Sequence, residues 1–235
     1  MEQILNSRPN AKQRFVHAER WLRRADIRTT RQLLREYCRM PTDVQFVALL
    51  AIKYYRRRTA VPLLMRELAN SEPLVAGAAS AALANIGGDR VLSQILRLFK
   101  DSSSKPLRRN IVSALACIRD VRQRPVAVSA LIEVLSRSEE DPEVQATAAE
   151  GLAHFGFPLG RDSWLRQRIE DALIDALTSS HSSVRCCASH ALGELRAKRA
   201  IPQLRVLART DKSTCPGLGS VSEVAAAAIR QISLS

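Results

Sequence analysis

The chain has 235 residues, of which 46% are hydrophobic, 25% charged and 4% aromatic, and it carries a net charge of +13. These proportions suit a globular protein, and no apolar run approaches the ~18 residues of a membrane span. The first residues lack the basic-then-apolar order of a secretion signal, and few aromatics beside many alanines argue against a β-sandwich.

The charge is uneven: residues 1–60 carry +9, 61–120 +3, 121–180 −4 and 181–235 +5. Such a field favours an anionic partner near the N-terminal end. The cysteines, Cys38, Cys117, Cys186, Cys187 and Cys215, are odd in number and lack zinc-ligand spacing. Reduced thiols and a cytoplasmic location are expected.

In chain order, "AKQRFVHAERWLRRA" (11–25) reads as an amphipathic helix with Phe15, Ala18, Leu22 and Ala25 inward, within a capping element over 1–27. Arg28, Arg31, Arg35 and Arg39 follow at spacings of 3, 4 and 4, on one helical face. Like charges so placed cost ~0.2–0.5 kcal/mol per pair. With Arg56, Arg57 and Arg58 they make a candidate anion-binding stripe, for phosphates or an acidic protein. The alternative is a solvated face eased by Glu19 and Glu36.

From residue 44 a period takes over. An aliphatic residue is followed by small or apolar residues at +3, +4 and +7, an aliphatic at +8 and a larger apolar residue at +11. Val44, Val75, Leu107, Val144, Val184 and Val221 each begin such a set, at intervals of 31, 32, 37, 40 and 37 residues. These offsets trace one stripe of an α-helix. Between them lie "AVPLLMREL", "VLSQILRLF", "AVSALIEVL", "IEDALIDAL" and "AIPQLRVLA", a second helical set. Pro62, Pro73, Pro106, Pro142 and Pro202 sit in first turns, where a missing N–H costs nothing. Each unit is thus a helical hairpin that buries its stripe by stacking on its neighbours.

The segments "ALANIGGDRVLSQIL" and "ALGELRAKRAIPQLRVL" resemble the short HEAT-like repeats of the phycobilisome-lyase type, over roughly residues 28–232. The resemblance implies an all-α, right-handed α–α superhelix of about six hairpins. Residues 28–235 are therefore expected to form one repeat domain behind the cap. Such repeats occur in scaffolds, lyase subunits and a few enzymes.

Two segments depart from the period. "HFGFPLGRDSW" (154–164) carries an insertion, and "TDKSTCPGLGS" (210–220) is a Gly/Pro/Ser loop. Such loops hold function or are mobile.

On the second helix of each pair, offsets 2, 6 and 10 should line the concave face. The candidate partner-binding residues there are Phe46, Leu50, Tyr54, Arg109, Glu150, His154, His190 and Glu194. Apolar bulk at one end and polar groups at the other suit a protein surface. Phe46 and Leu50 could instead pack under the cap. Arg108 and Arg185, at offset 1, are expected to brace neighbouring repeats.

Glu150/His154 and His190/Glu194 are i, i+4 pairs on successive second helices, a pattern that could ligate zinc or a di-iron pair. The HEAT-repeat enzyme deoxyhypusine hydroxylase builds such a site from His-Glu dipeptides, and this chain contains none. Ion pairs along each helix are expected instead, with no metal and no cofactor. Cys187 falls at a core offset, which predicts a thiol used for packing. Phosphate-loop, zincin and nucleophile-elbow motifs are absent. The expectation is therefore a non-catalytic, non-enzymatic scaffold that binds another protein, with an acidic surface, through its concave face. A bilin-lyase-like or other enzyme accessory subunit is one alternative. Nucleic-acid binding through the basic N-terminal third is the other.

Overall fold

A computed structural model of the chain describes residues 35, 37–39, 42–55, 58–156, 163–215 and 217–234. Its helices are α1 (Thr42–Tyr55), α2 (Val61–Glu67), α3 (Pro73–Ile86), α4 (Asp89–Asp101), α5 (Lys105–Ala116), α6 (Arg124–Ser136), α7 (Pro142–Gly156), α8 (Trp164–Ala176), α9 (Ser182–Glu194), α10 (Ile201–Thr210) and α11 (Val221–Ser233). They fall where the two periodic sets place them. Proline occupies the first turn of α2, α3, α5, α6 and α10. The expected cap over 1–27, with Arg28 and Arg31 beyond it, lies outside the described residues.

The chain divides into two compact units, one through Gly87 and one from Gly88 to Ser235. In the first, α1 and α2 both pack on α3, burying Leu49, Ile52, Leu64, Val75 and Leu83. Asn85 on α3 donates to the Lys53 carbonyl at 2.6 Å, closing the end of α1. Buried Glu67 accepts from Arg66 at 2.9 Å and Asn70 at 2.6 Å. Burial, then the Glu67 charge, pushes the Tyr37 phenol well above its ordinary range.

In the second unit, α5, α7, α9 and α11 lie side by side. The first helices α6, α8 and α10 pack against their own hairpin partners α7, α9 and α11. Small residues let the second helices approach closely. A Cβ on Gly151 of α7 would sit 2.6 Å from the Ala116 Cβ of α5, so nothing larger than glycine fits unshifted. The core is the predicted stripe: Ile111, Leu115, Val144, Leu152, Val184, Leu192, Val221 and Ile232 are all buried. Among the described residues no helix is long and apolar enough to cross a membrane.

Arg108 and Arg185 brace the repeats as their offset predicts. Arg108 on α5 pairs with Glu140 in the turn before α7, and donates to the Phe99 and Ser102 carbonyls, each at 2.8 Å. Its guanidinium also lies 3.8 Å over the Phe99 ring. One guanidinium thus ties the turn of its own hairpin to the turn of the next. Arg185 on α9 does the same, donating to Asp211 at 2.7 Å and to the Ser179 carbonyl at 2.7 Å. At the equivalent place on α7, Gln145 turns back onto the Leu135 and Arg137 carbonyls of its own hairpin.

The 210–220 loop is more ordered than its composition suggested. Strands β1 (Thr214–Cys215) and β2 (Gly219–Ser220) pair antiparallel. Gly217 and Gly219 supply the positive φ values, 79° and 91°, that a turn this tight demands. Ser220 then opens α11 with a capping box to Glu223. The folded loop lays Cys215 against α9, where it forms a disulfide with Cys186. The expectation of reduced thiols is corrected for this pair. Sequence spacing carries no sign of it, because a 29-residue separation becomes a contact only when the loop folds back. The bond also removes Cys186 from the open stripe into a buried cluster with Val221 and Val224.

Candidate functional site

The stripe beside the core on the second helices is the surface that the hairpin stack leaves open. In the second unit it carries Arg109 on α5, Glu150 and His154 on α7, and His190 and Glu194 on α9. Arg109, Glu150, His154 and His190 are exposed, and Glu194 is half-buried. In the first unit, Phe46 and Leu50 on α1 are half-buried. The backbone of Tyr54 is helical, and its side chain lies outside the description.

Two of the charged members, Arg109 and Glu150, act across helices rather than along them. Arg109 reaches Glu143 of α7 at 3.0 Å, an exposed pair of the kind worth ~0–1 kcal/mol. Glu150 accepts from the Cys187 thiol of α9 at 3.4 Å. Burial, then the Glu150 charge, pushes that thiol up to about 12, so Cys187 stays protonated near neutrality. Among the described residues, no group of three or more His, Cys, Asp or Glu side chains is placed to hold a metal ion.

Of the candidate anion-binding stripe, Arg35, Arg39 and Arg58 are exposed. Arg28, Arg31, Arg56 and Arg57 lie outside the described residues. Sequence reasoning missed the buried pair of Arg166 and Glu170 on α8, 2.9 Å apart, which also caps the end of α9 through the Leu195 carbonyl. Its i, i+4 spacing on an otherwise apolar face was the available signal. Two clefts open in the second unit along the turns that join the helices within each hairpin. One, of about 430 Å³, is lined by Lys105, Arg108, Glu140 and Asp141; the other, of about 400 Å³, by Leu135, Gln145, His181 and Val184. Neither includes a residue of the candidate stripe.

Stacked antiparallel hairpins with in-register second helices define an all-α solenoid of the armadillo and HEAT kind. HEAT repeats match residues 27–116 and 128–214, and the chain belongs to that family. It is 31% identical over 126 residues to the bilin biosynthesis protein RpcF of Synechococcus sp. (strain WH8020), covering 54% of this chain and 57% of that one. It is 33% identical over 103 residues to the deoxyhypusine hydroxylase of Gallus gallus, covering 44% and 32%. The matches thus span less than two thirds of either relative. The complex of CpcE and CpcF of phycocyanin lyase from Nostoc sp. PCC7120 contains a chain of similar fold. Its TM-score is 0.59 at 21% identity, over 74% of this chain and 99% of that one.

These relatives correct the expectation of a protein without an enzymatic role, since both curated matches are named for biosynthetic or catalytic proteins. The physical reason is that a solenoid brings groups together from neighbouring helices. Chemistry assembled in that way would leave no contiguous motif to read.

Proposed function

We propose that the chain serves as a bilin-lyase-like subunit, acting with another protein in handling an open-chain tetrapyrrole. The observation that carries this reading is the 31% identity to the bilin biosynthesis protein over 126 residues. The fold shared with a chain of the two-protein phycocyanin lyase complex is compatible with it. Deoxyhypusine hydroxylase is the weaker guide. The four histidines here are followed by Ala, Phe, Ser and Ala, so the His-Glu dipeptides of that family are missing.

On this reading the open stripe is the working surface. Phe46, Leu50 and Tyr54 would offer apolar contacts, and Arg109, Glu150, His154, His190 and Glu194 polar ones. Arg109 could pair with a propionate, and the imidazoles could hydrogen-bond pyrrole or carboxylate groups. Arg28, Arg31, Arg35, Arg39 and Arg56–Arg58 would favour an acidic protein surface.

The test is visible absorption of a bilin titrated with the purified chain. Binding is expected to sharpen the long-wavelength band and shift it to the red, and His154→Gln with His190→Gln to raise the Kd read from that titration at least ~10-fold, ~1.4 kcal/mol. A spectrum left unchanged by excess protein, alone and with phycocyanin apoprotein present, would sink the reading.

A further inference from the structure

Three exposed apolar side chains of the second unit, Val121, Val126 and Trp164, fall at one edge, where each second helix hands over to the next first helix. Val121 lies in the turn between α5 and α6, Val126 in the first turn of α6, and Trp164 opens α8. Arg168 of α8 donates to Ser129 of α6 at 3.4 Å. That contact sets the register: Trp164, one turn before Arg168, stands level with the start of α6 and Val126. The Arg168 guanidinium also lies 5.8 Å from the Trp164 ring. Trp164 is 58% exposed, which a residue packed for stability would not be.

Cations flank this apolar centre on both sides. Arg119 and Arg122 occupy the turn before α6, and Arg124 opens that helix. Arg196, Lys198 and Arg199 occupy the turn between α9 and α10, two repeats away and so about 20 Å distant at ~8–10 Å per packed helix. Arg199 pairs with Asp171 at 2.8 Å. The other five form no ion pair among the described residues.

An independent observation concerns the backbone. Arg196 has φ 54°, the left-handed conformation that glycine adopts freely after a helix and other residues adopt at a cost. The turn closes there through Arg196 N–H to the Gly193 carbonyl at 2.9 Å and Ala197 N–H to the Leu192 carbonyl at 3.0 Å. An arginine held where glycine would be unstrained points to a use for its side chain.

We infer that this edge docks an acidic, amphipathic segment of a partner protein. Exposed tryptophan and arginine together are the composition of interface anchors. Two aliphatic side chains beside the indole offer nothing to a phosphate backbone, and one aromatic is not the series of stacking platforms single-stranded nucleic acid uses. An extended segment of about six residues spans the ~20 Å between the basic turns. Acidic side chains at its ends would meet the two turns, with an aliphatic or aromatic residue against Trp164.

The test uses the full chain and a fluorescent peptide carrying glutamates at both ends of a Leu/Phe centre. Fluorescence anisotropy is followed across a salt series, with a thymidine 20-mer as the second probe. The peptide is expected to bind, and Trp164→Ala and the double variant Arg122→Glu/Arg196→Glu each to weaken it at least tenfold. Arg209→Glu, at the far end of α10, should leave binding unchanged. Arg196→Gly is the decisive variant: it should raise the unfolding temperature by relieving the backbone while weakening the peptide. No binding by the parent chain overturns the inference. So does binding indifferent to Trp164, or an oligonucleotide that binds as well as the peptide.

Discussion

Removing the guanidinium of Arg108 would leave Glu140, with a side chain 4% exposed, as an uncompensated buried charge and also release the Phe99 and Ser102 carbonyls. Arg108→Ala is therefore expected to destabilise the second unit by ~3–5 kcal/mol, read as a lower urea midpoint. Changing the exposed Arg109 to Ala should cost less than ~1 kcal/mol, although the two arginines are adjacent in sequence. At Cys187 burial and the Glu150 carboxylate act together to keep the thiol protonated. Glu150→Gln removes the second cause and leaves the first. The pH at which Cys187 alkylation accelerates should then fall below that of the parent, without reaching that of an exposed thiol. Mass spectrometry of the labelled peptide reads this directly, and an unchanged profile would show that burial acts alone.

At the scale of elements, the close approach of α5 and α7 rests on a missing side chain. Gly151→Ala places a methyl 2.6 Å from the Ala116 Cβ. Overpacking of this kind costs ~1–3 kcal/mol, more than the ~1 kcal/mol that alanine returns in helix propensity. A net loss of stability in thermal unfolding is expected, and Ala116→Gly in the same chain should recover part of it. The turns have their own pH signature. The Arg185 hydrogen bond beside Asp211, and the Lys105 hydrogen bond beside Asp141, hold both carboxyls below the usual range. A carboxyl whose folded pKa is depressed adds stability above its unfolded value near ~3.9 and loses it as pH falls through the folded value. Stability should therefore drop with acid below about pH 4, and Asp211→Asn should flatten that slope in urea titrations from pH 6 to pH 2.

For the molecule as a whole, two compact units meet at Gly87–Gly88 in sequence, and the second has its own core from Val91 to Ile232. A fragment of residues 88–235 is expected to keep its helical circular dichroism and to unfold in one cooperative transition. A fragment without a sigmoidal transition would mean that its hairpins need the preceding ones. Reading the repeat as a single domain over 28–235 is a proposal that the same experiment addresses.

Helix positions, the buried stripe and the bracing role of Arg108 and Arg185 were legible in the sequence. Each depends on spacing within one helix or on the repeat offset between neighbours, and a period preserves both. The disulfide of Cys186 with Cys215, the hairpin in the 210–220 loop and the register of Trp164 beside Val126 were not. They join residues whose separation no period sets, through a loop that departs from the repeat or a helix preceded by an insertion. The candidate stripe lies between these cases. Its residues were identifiable because offsets 2, 6 and 10 border the core stripe, although Ala146 and Cys186 at offset 2 are buried, whereas the Glu150–Cys187 contact arises from how far one helix slides along the next. Composition and period specify which faces are apolar, since that follows from transfer of side chains out of water. Which polar groups meet across those faces depends on ångström-scale packing, and the chain acquires that only when it folds.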